Sequence, residues 1–159
     1  IFTENSFLNF NYLLFILFGT HNLFSQSIQY YDSLFQTTNN EIKFLYSLIS
    51  ENNNYFETST EKNIAQSISY FLLFNTYDQK NYKIQILEKG LDNLKKVISQ
   101  DSASYLKELY DELFNIYYNF KSGEEINNKP EIIIKDFLFN TQPESNYLKW
   151  LKNKFWSKK

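Results

Sequence analysis

The chain has 159 residues, 43% of them hydrophobic and 19% aromatic, and its 16 lysines stand against 18 acids for a net charge of −2. That apolar content is enough for one folded core, while a near-neutral balance without a single arginine excludes a dedicated nucleic-acid binder, which needs a basic patch and bidentate arginine contacts. No cysteine is present, so disulfides, thiolate metal sites and cysteine nucleophiles are excluded as well.

The opening run "YLLFILF", Tyr12 to Phe18, is apolar without a break. A spanning helix needs about 20 mostly apolar residues, and widening the run that far takes in Asn9, Asn11, Thr20, His21 and Asn22. Its length suits the h-region of a secretory signal, roughly 7–15 residues. Gly19 breaks the run, and Ser25-Gln26-Ser27 sets two small residues around a larger one, the spacing a signal peptidase reads. "IFTENS" holds Glu4 and no lysine, so this reading places the basic n-region upstream of Ile1. Residues 1–27 are expected to be a signal peptide or a hydrophobic N-terminal helix, the latter as an uncleaved anchor or a first core helix. Residues 28–159 are expected to form a single all-helical domain. The run "FILFGTHNLFSQS" resembles Sec signals of low-GC Gram-negative bacteria, which implies export to the periplasm or the medium.

From Ile28 onward the hydrophobic period is helical. Ile28, Tyr31 and Leu34/Phe35 predict a helix over 28–37; Ile42, Leu45 and Ile49 predict one over 40–50. "ENNNYFE" reads as a loop. Thr58 and Glu61 match a capping box that opens a helix over 60–77, whose "YFLLF" run is apolar on every side and belongs deep in the fold. Ile84, Leu87, Leu91, Leu94 and Ile98 mark a helix over 82–99, with Gly90 inside it, where the expectation is close approach of a neighbouring backbone or a kink.

"YLKELYDELFNIYYNF" puts Leu106, Leu109, Leu113, Ile116 and Phe120 on one stripe and Glu108, Asp111, Glu112, Asn115 and Asn119 on the opposite face, a helix over 103–121 that Gly123 stops. Pro130 and Pro143 each precede a glutamate and are expected at the first position of helices over 130–140 and 144–157. The three isoleucines of "EIIIKDFLF" would also suit a strand, but no partner strand is on offer. The fold class is therefore all-α, either an irregular helix-hairpin array of α-solenoid type or a helical bundle.

"QDSASYLKELY" from Gln100 and "QPESNYLKWLK" from Gln142 align Gln, Tyr, Leu, Lys and a later Leu at one offset, which points to a repeated helix pair. "LFNIYYNFKSGEEI" resembles the first helix and turn of a tetratricopeptide repeat, a resemblance that covers the last 60–100 residues and implies protein binding through helix-hairpin surfaces. The small alanine positions of such repeats are missing, and the period is longer than the usual one of about 34 residues.

Little catalytic chemistry remains. His21 is the only histidine, so if residues 1–27 are removed the mature chain holds no histidine or cysteine for a Ser-His-Asp or Cys-His system or for a His- or Cys-based zinc site. Three scattered glycines cannot build a phosphate loop. Glu108, Asp111 and Glu112 read as a solvated helix face, and a carboxylate-dependent hydrolase would need two acids from different elements around one concavity. The abundance of Asn, Phe and Tyr beside two alanines and one valine is the usage of an AT-rich genome, so it is not a functional signal by itself.

The C-terminal "NYLKWLKNKFWSKK" carries five lysines and no acid. Tyr147, Lys149, Trp150, Lys152, Lys154, Phe155 and Trp156 form the candidate binding face, for a protein groove or an anionic membrane; the alternative is a packed last helix with a basic end. The sequence thus reads as an exported, non-enzymatic helical binding or scaffold module with an unidentified protein partner, no cofactor and no nucleic acid. The alternative is a membrane-associated helical protein, held by an uncleaved N-terminal anchor, the basic aromatic C-terminal helix, or both.

Overall fold

The computed structural model describes residues 28–50 and 56–157, without the side chains at 101 and 102. The signal or anchor reading of residues 1–27, with His21, lies outside the described residues, as does most of the "ENNNYFE" loop. Among the described residues there are seven α-helices and no strand.

Helix α1 covers 28–38 and α2 covers Glu41–Ile49. The turn between them is made by two asparagines. Asn39 takes a left-handed φ of 44°, which Asn tolerates better than most residues, and the Asn40 side chain accepts from Lys43 N at 3.0 Å as the N-cap of α2. Helix α3 is Ser59–Leu72 and runs into a 3₁₀ turn, Phe74–Thr76. Helix α4 is Lys80–Ile98. A 3₁₀ segment, Asp101–Leu106, leads into α5, Lys107–Ser122. Gly123 ends α5 at φ 84°, where its missing Cβ is needed.

Helix α6 is Pro130–Asn140, with Pro130 at its start as expected. Helix α7 begins at Asn146, after the Ser145 N-cap, so Pro143 lies in the preceding coil and not at the first helical position. From Leu151 to Phe155 the backbone widens to π-type winding, and Trp156 N donates to Leu151 O at 3.1 Å. The winding has a packing reason. Along an α-helix five residues turn by about 140° beyond one full turn, which would swing Phe155 away from the side Trp150 occupies. The wider turn brings the two rings to 5.8 Å between centroids.

Helices α3 and α4 lie antiparallel: Thr60 bonds Gln100 at one end, and Ser67 donates to the Gly90 carbonyl at 2.7 Å further along. Gly90 does mark a close approach, but of a ring. A Cβ built there would stand 2.7 Å from Phe71 Cζ, and α4 runs unbroken through the position. Besides its sequence neighbours α2 and α4, α3 also touches α6 and α7. In a linear array each unit touches only the next, so these contacts make the fold a closed bundle around α3. The buried residues form one contiguous core. Leu106, Leu109, Leu113 and Ile116 are in it with Leu87, Leu91 and Leu94, as the stripes required, and Phe120 packs against it half-buried.

Two expectations change. In α2 the buried residues are Phe44, Leu45 and Leu48, and Ile42 faces solvent; both sets of residues fit a helical period. In "YFLLF", Phe71, Leu73 and Phe74 are buried, while Tyr70 and Leu72 are half-buried at the bundle's edge. Of the aligned leucine pairs, Leu106 and Leu148 are both fully buried, as are Leu109 and Leu151. No helix among the described residues is long and apolar enough to cross a membrane.

Candidate functional site

The C-terminal candidate face is split by the fold. Tyr147, Trp150, Phe155 and Trp156 are buried. They meet the aromatic side of α1 and α2: Trp150 lies 5.0 Å from Phe44 and 5.8 Å from Phe35, Phe155 5.7 Å from Phe35, and Tyr147 5.3 Å from Tyr31, all between centroids. The Trp150 Nε1–H donates to Asp32 Oδ1 at 2.8 Å. These rings are core side chains, so the reading of the segment as one amphipathic binding face is corrected to that of a packed last helix. Its described lysines are not in the core. Lys152 Nζ donates to the Thr141 carbonyl at 2.9 Å, a cation on the C-terminal end of α6. Lys154 is exposed and Lys149 half-buried.

Glu61 is a largely buried acid that joins three helices. The Thr58 hydroxyl accepts from Glu61 N at 3.1 Å, which is one half of the capping box. The Glu61 carboxylate does not return to Thr58; it reaches across to α7 and α1. Its Oε1 accepts from Tyr147 N at 2.6 Å and from the Tyr31 hydroxyl at 3.3 Å. Burial pushes this carboxyl above its ordinary value against the pull of these donors and of the nearby Ser145 hydroxyl and Asn146 N–H. Burial also raises the Tyr31 hydroxyl, with the Glu61 charge adding to it, and the Tyr147 hydroxyl.

Glu61 and Glu144 line one small cavity of about 170 Å³ with Tyr105. The bonds from Tyr31 and Tyr147 tie the Glu61 carboxylate to α1 and to the start of α7. On α5, Glu108, Asp111 and Glu112 are exposed, and Asp111 is engaged by Lys107 Nζ at 2.5 Å.

A second concavity opens where α2, the end of α3 and the start of α4 meet. It holds about 280 Å³ and is lined by Tyr46 and Ile49 from α2, Tyr70, Leu73 and Tyr77 around the end of α3, and Tyr82, Gln85, Ile86 and Lys89 from α4. Four of these nine side chains are tyrosines. Tyr46 and Tyr82 form walls with 40% and 50% of their surface in solvent, far more than rings in the core retain. The Tyr46 and Tyr77 hydroxyls bond each other, and that bond, ahead of partial burial, pushes the Tyr46 hydroxyl up to about 12. Tyr77 packs on Tyr82 at 6.0 Å between centroids, and Lys89 Nζ stands 5.8 Å from the Tyr70 ring centre.

Sequence reasoning missed this groove. Tyr82 and Lys89 sit off the Ile84–Leu87–Leu91 stripe, and Tyr46 is separated from them by three helix boundaries. The one available signal was an aromatic one turn before Ile86 on a face otherwise polar.

The chain matches no family model, no curated protein and no solved structure.

Proposed function

We propose that the chain is an exported, non-enzymatic helical module that binds another protein through the tyrosine-lined groove. The observation that carries this is the exposure of Tyr46 and Tyr82 on the two walls of a preformed concavity. A tyrosine offers a large rigid contact area with two rotatable bonds and a hydroxyl that tolerates water, so it costs little to expose and little to order on binding. Binding energy at protein interfaces concentrates on such aromatic anchors. The repeat-like hairpins and the signal-like segment "YLLFILFGTHNLFSQS" support a scaffold that works outside the cytoplasm. The membrane alternative loses one of its supports, because the C-terminal rings that would enter a bilayer are packed in the core.

Two measurements on cells test the reading. The first is the compartment and mass of the protein expressed from its whole gene: recovery in the cytoplasm at full gene-product mass sinks the export half. The second places a benzophenone photocrosslinking amino acid at Tyr82 and, as a control, at exposed Glu108. Binding predicts a discrete protein adduct from position 82 alone. Equal, diffuse labelling at both positions sinks the binding half.

A further inference from the structure

We propose that the groove takes an acidic peptide segment, seating one large apolar side chain against Ile49 and the Tyr46 and Tyr82 rings and one carboxylate against Lys89. The inference rests on the protein-binding reading above and names the chemistry of the partner.

Size comes first. Pockets that enclose whole drug-like ligands run from about 300 to 1,000 Å³. At about 280 Å³ this one is below that range and is sized for a side chain with its flanking backbone. Its lining is ordered by polarity. Ile49 supplies hydrocarbon, with Leu73 and Ile86 buried beneath the groove. Tyr46 and Tyr82 are its most exposed rings, and Tyr77 is held by its hydroxyl bond to Tyr46. An apolar side chain placed there exchanges water for hydrocarbon and ring surface, as a hot-spot anchor does.

Charge then selects. Lys89 is the one ionic side chain among the nine lining residues, and none of the nine is a carboxylate. Its ammonium rests near the Tyr70 ring, a weak partner that fixes its place without neutralising it. Asp78 and Asp92 lie near in sequence but outside the lining. A ligand carboxylate that reaches Lys89 forms a charge-assisted bond at a half-enclosed rim, while a ligand lysine meets a like charge beside low-dielectric walls. The exposed aromatic pair on α5, Phe114 and Tyr118, offers no such selection. It is a convex helix surface with 42% and 60% exposure, and neither residue lines a concavity described for the molecule.

The test is a phage-displayed random peptide library panned on the folded chain, followed by fluorescence anisotropy with the synthesised consensus peptide. The expected consensus has Asp or Glu within three residues of Phe, Leu or Trp. Tyr82→Ala should weaken the consensus peptide by about tenfold or more. Lys89→Glu should weaken it at least as much and restore binding to the peptide with its acid changed to lysine. Lys89→Gln should fall between. Circular dichroism melts verify that each variant is folded, and the charge reversal reads specificity in a way that lost stability cannot mimic. A basic or uncharged consensus, or affinity indifferent to both Tyr82→Ala and Lys89→Glu, overturns the proposal. Peptides that respond instead to Phe114→Ala or Tyr118→Ala overturn the groove but leave protein binding standing. A library that enriches nothing overturns both.

Discussion

The Trp150 indole N–H donates to Asp32 Oδ1 at 2.8 Å, joining α7 to α1 across 118 residues of chain. The neighbouring Trp156 is also buried, yet its Nε1 has no acceptor among the described residues. The two indoles thus differ in whether the N–H is satisfied, which mutation can read.

Trp150→Phe should cost about 1–3 kcal/mol, because it removes the bond and strands a half-buried aspartate. Trp156→Phe should cost under about 1 kcal/mol, because the smaller ring also removes a buried N–H that no described residue satisfies. Urea denaturation of the two variants checks the order. Equal losses would mean that the Asp32 bond contributes nothing net.

Glu61 gives the fold a pH dependence of definite sign. Its carboxyl is raised above the ordinary 4.5 by burial. The folded state therefore binds the proton more tightly than the unfolded chain. The stability this contributes is fully present below the ordinary value and is lost as pH rises through the raised one. Glu61→Gln cannot titrate, and its altered hydrogen bonding adds a constant offset. The melting temperature of Glu61→Gln minus that of the natural chain should grow more favourable from pH 4 to pH 8. Parallel profiles would show that Glu61 titrates as an exposed acid does.

Gly90→Ala sets two effects against each other. Alanine gains roughly 1 kcal/mol of helix propensity, but its Cβ would stand 2.7 Å from the Phe71 ring. Phe71 is fully buried and has no room to retreat, so overpacking should win with a net loss of about 1–2 kcal/mol. Shortening the ring's reach should relieve it. The double variant Gly90→Ala with Phe71→Leu should lose less than the sum of the two single losses. Strict additivity would mean that the two residues do not touch.

Leu109→Ala should cost about 2–5 kcal/mol, since its side chain is buried in the centre of the α5 stripe. A loss under about half a kcal/mol would put that stripe in water.

A chain that starts at Ile28 should melt cooperatively if residues 1–27 are a signal with no packing duty. An aggregated or molten product would make "YLLFILF" part of the core and remove the argument for export. Burial of the six side chains from Leu13 to Phe18 would be worth roughly 1.5–3 kcal/mol each, more than a domain holding about 5–15 kcal/mol can lose.

The helices were legible because most of them separate apolar from polar residues at a 3.6-residue period. The Leu106–Leu109–Leu113 stripe, the Gly123 stop and the Pro130 start all follow from local chemistry. The phase of α2 was misread: Ile42, Leu45 and Ile49 fit a helical period as well as the buried Phe44, Leu45 and Leu48 do, and the polar side through Lys43 and Ser47 was the signal passed over. Nor could the destination of the Glu61 carboxylate be read, since its partner Tyr147 lies 86 residues on. The C-terminal rings misled for a related reason: a sequence cannot distinguish an aromatic face awaiting a partner from one that α1 and α2 already cover. The groove was hidden by composition, because tyrosine is so common in this chain that no single one stands out.

The wide turn at Leu151–Phe155 has a consequence for how this end of the protein can change. A π turn is an α-helix that has accommodated one surplus residue. Deleting one exposed residue of the turn, Asn153 or Lys154, would let ordinary winding return while Phe155 and Trp156 keep their side of the helix, because the surplus residue is what the wide turn absorbs. A further inserted residue has no such outlet and would turn Trp156 about 100° out of its socket. This end of the protein can therefore lose a residue more easily than it can gain one.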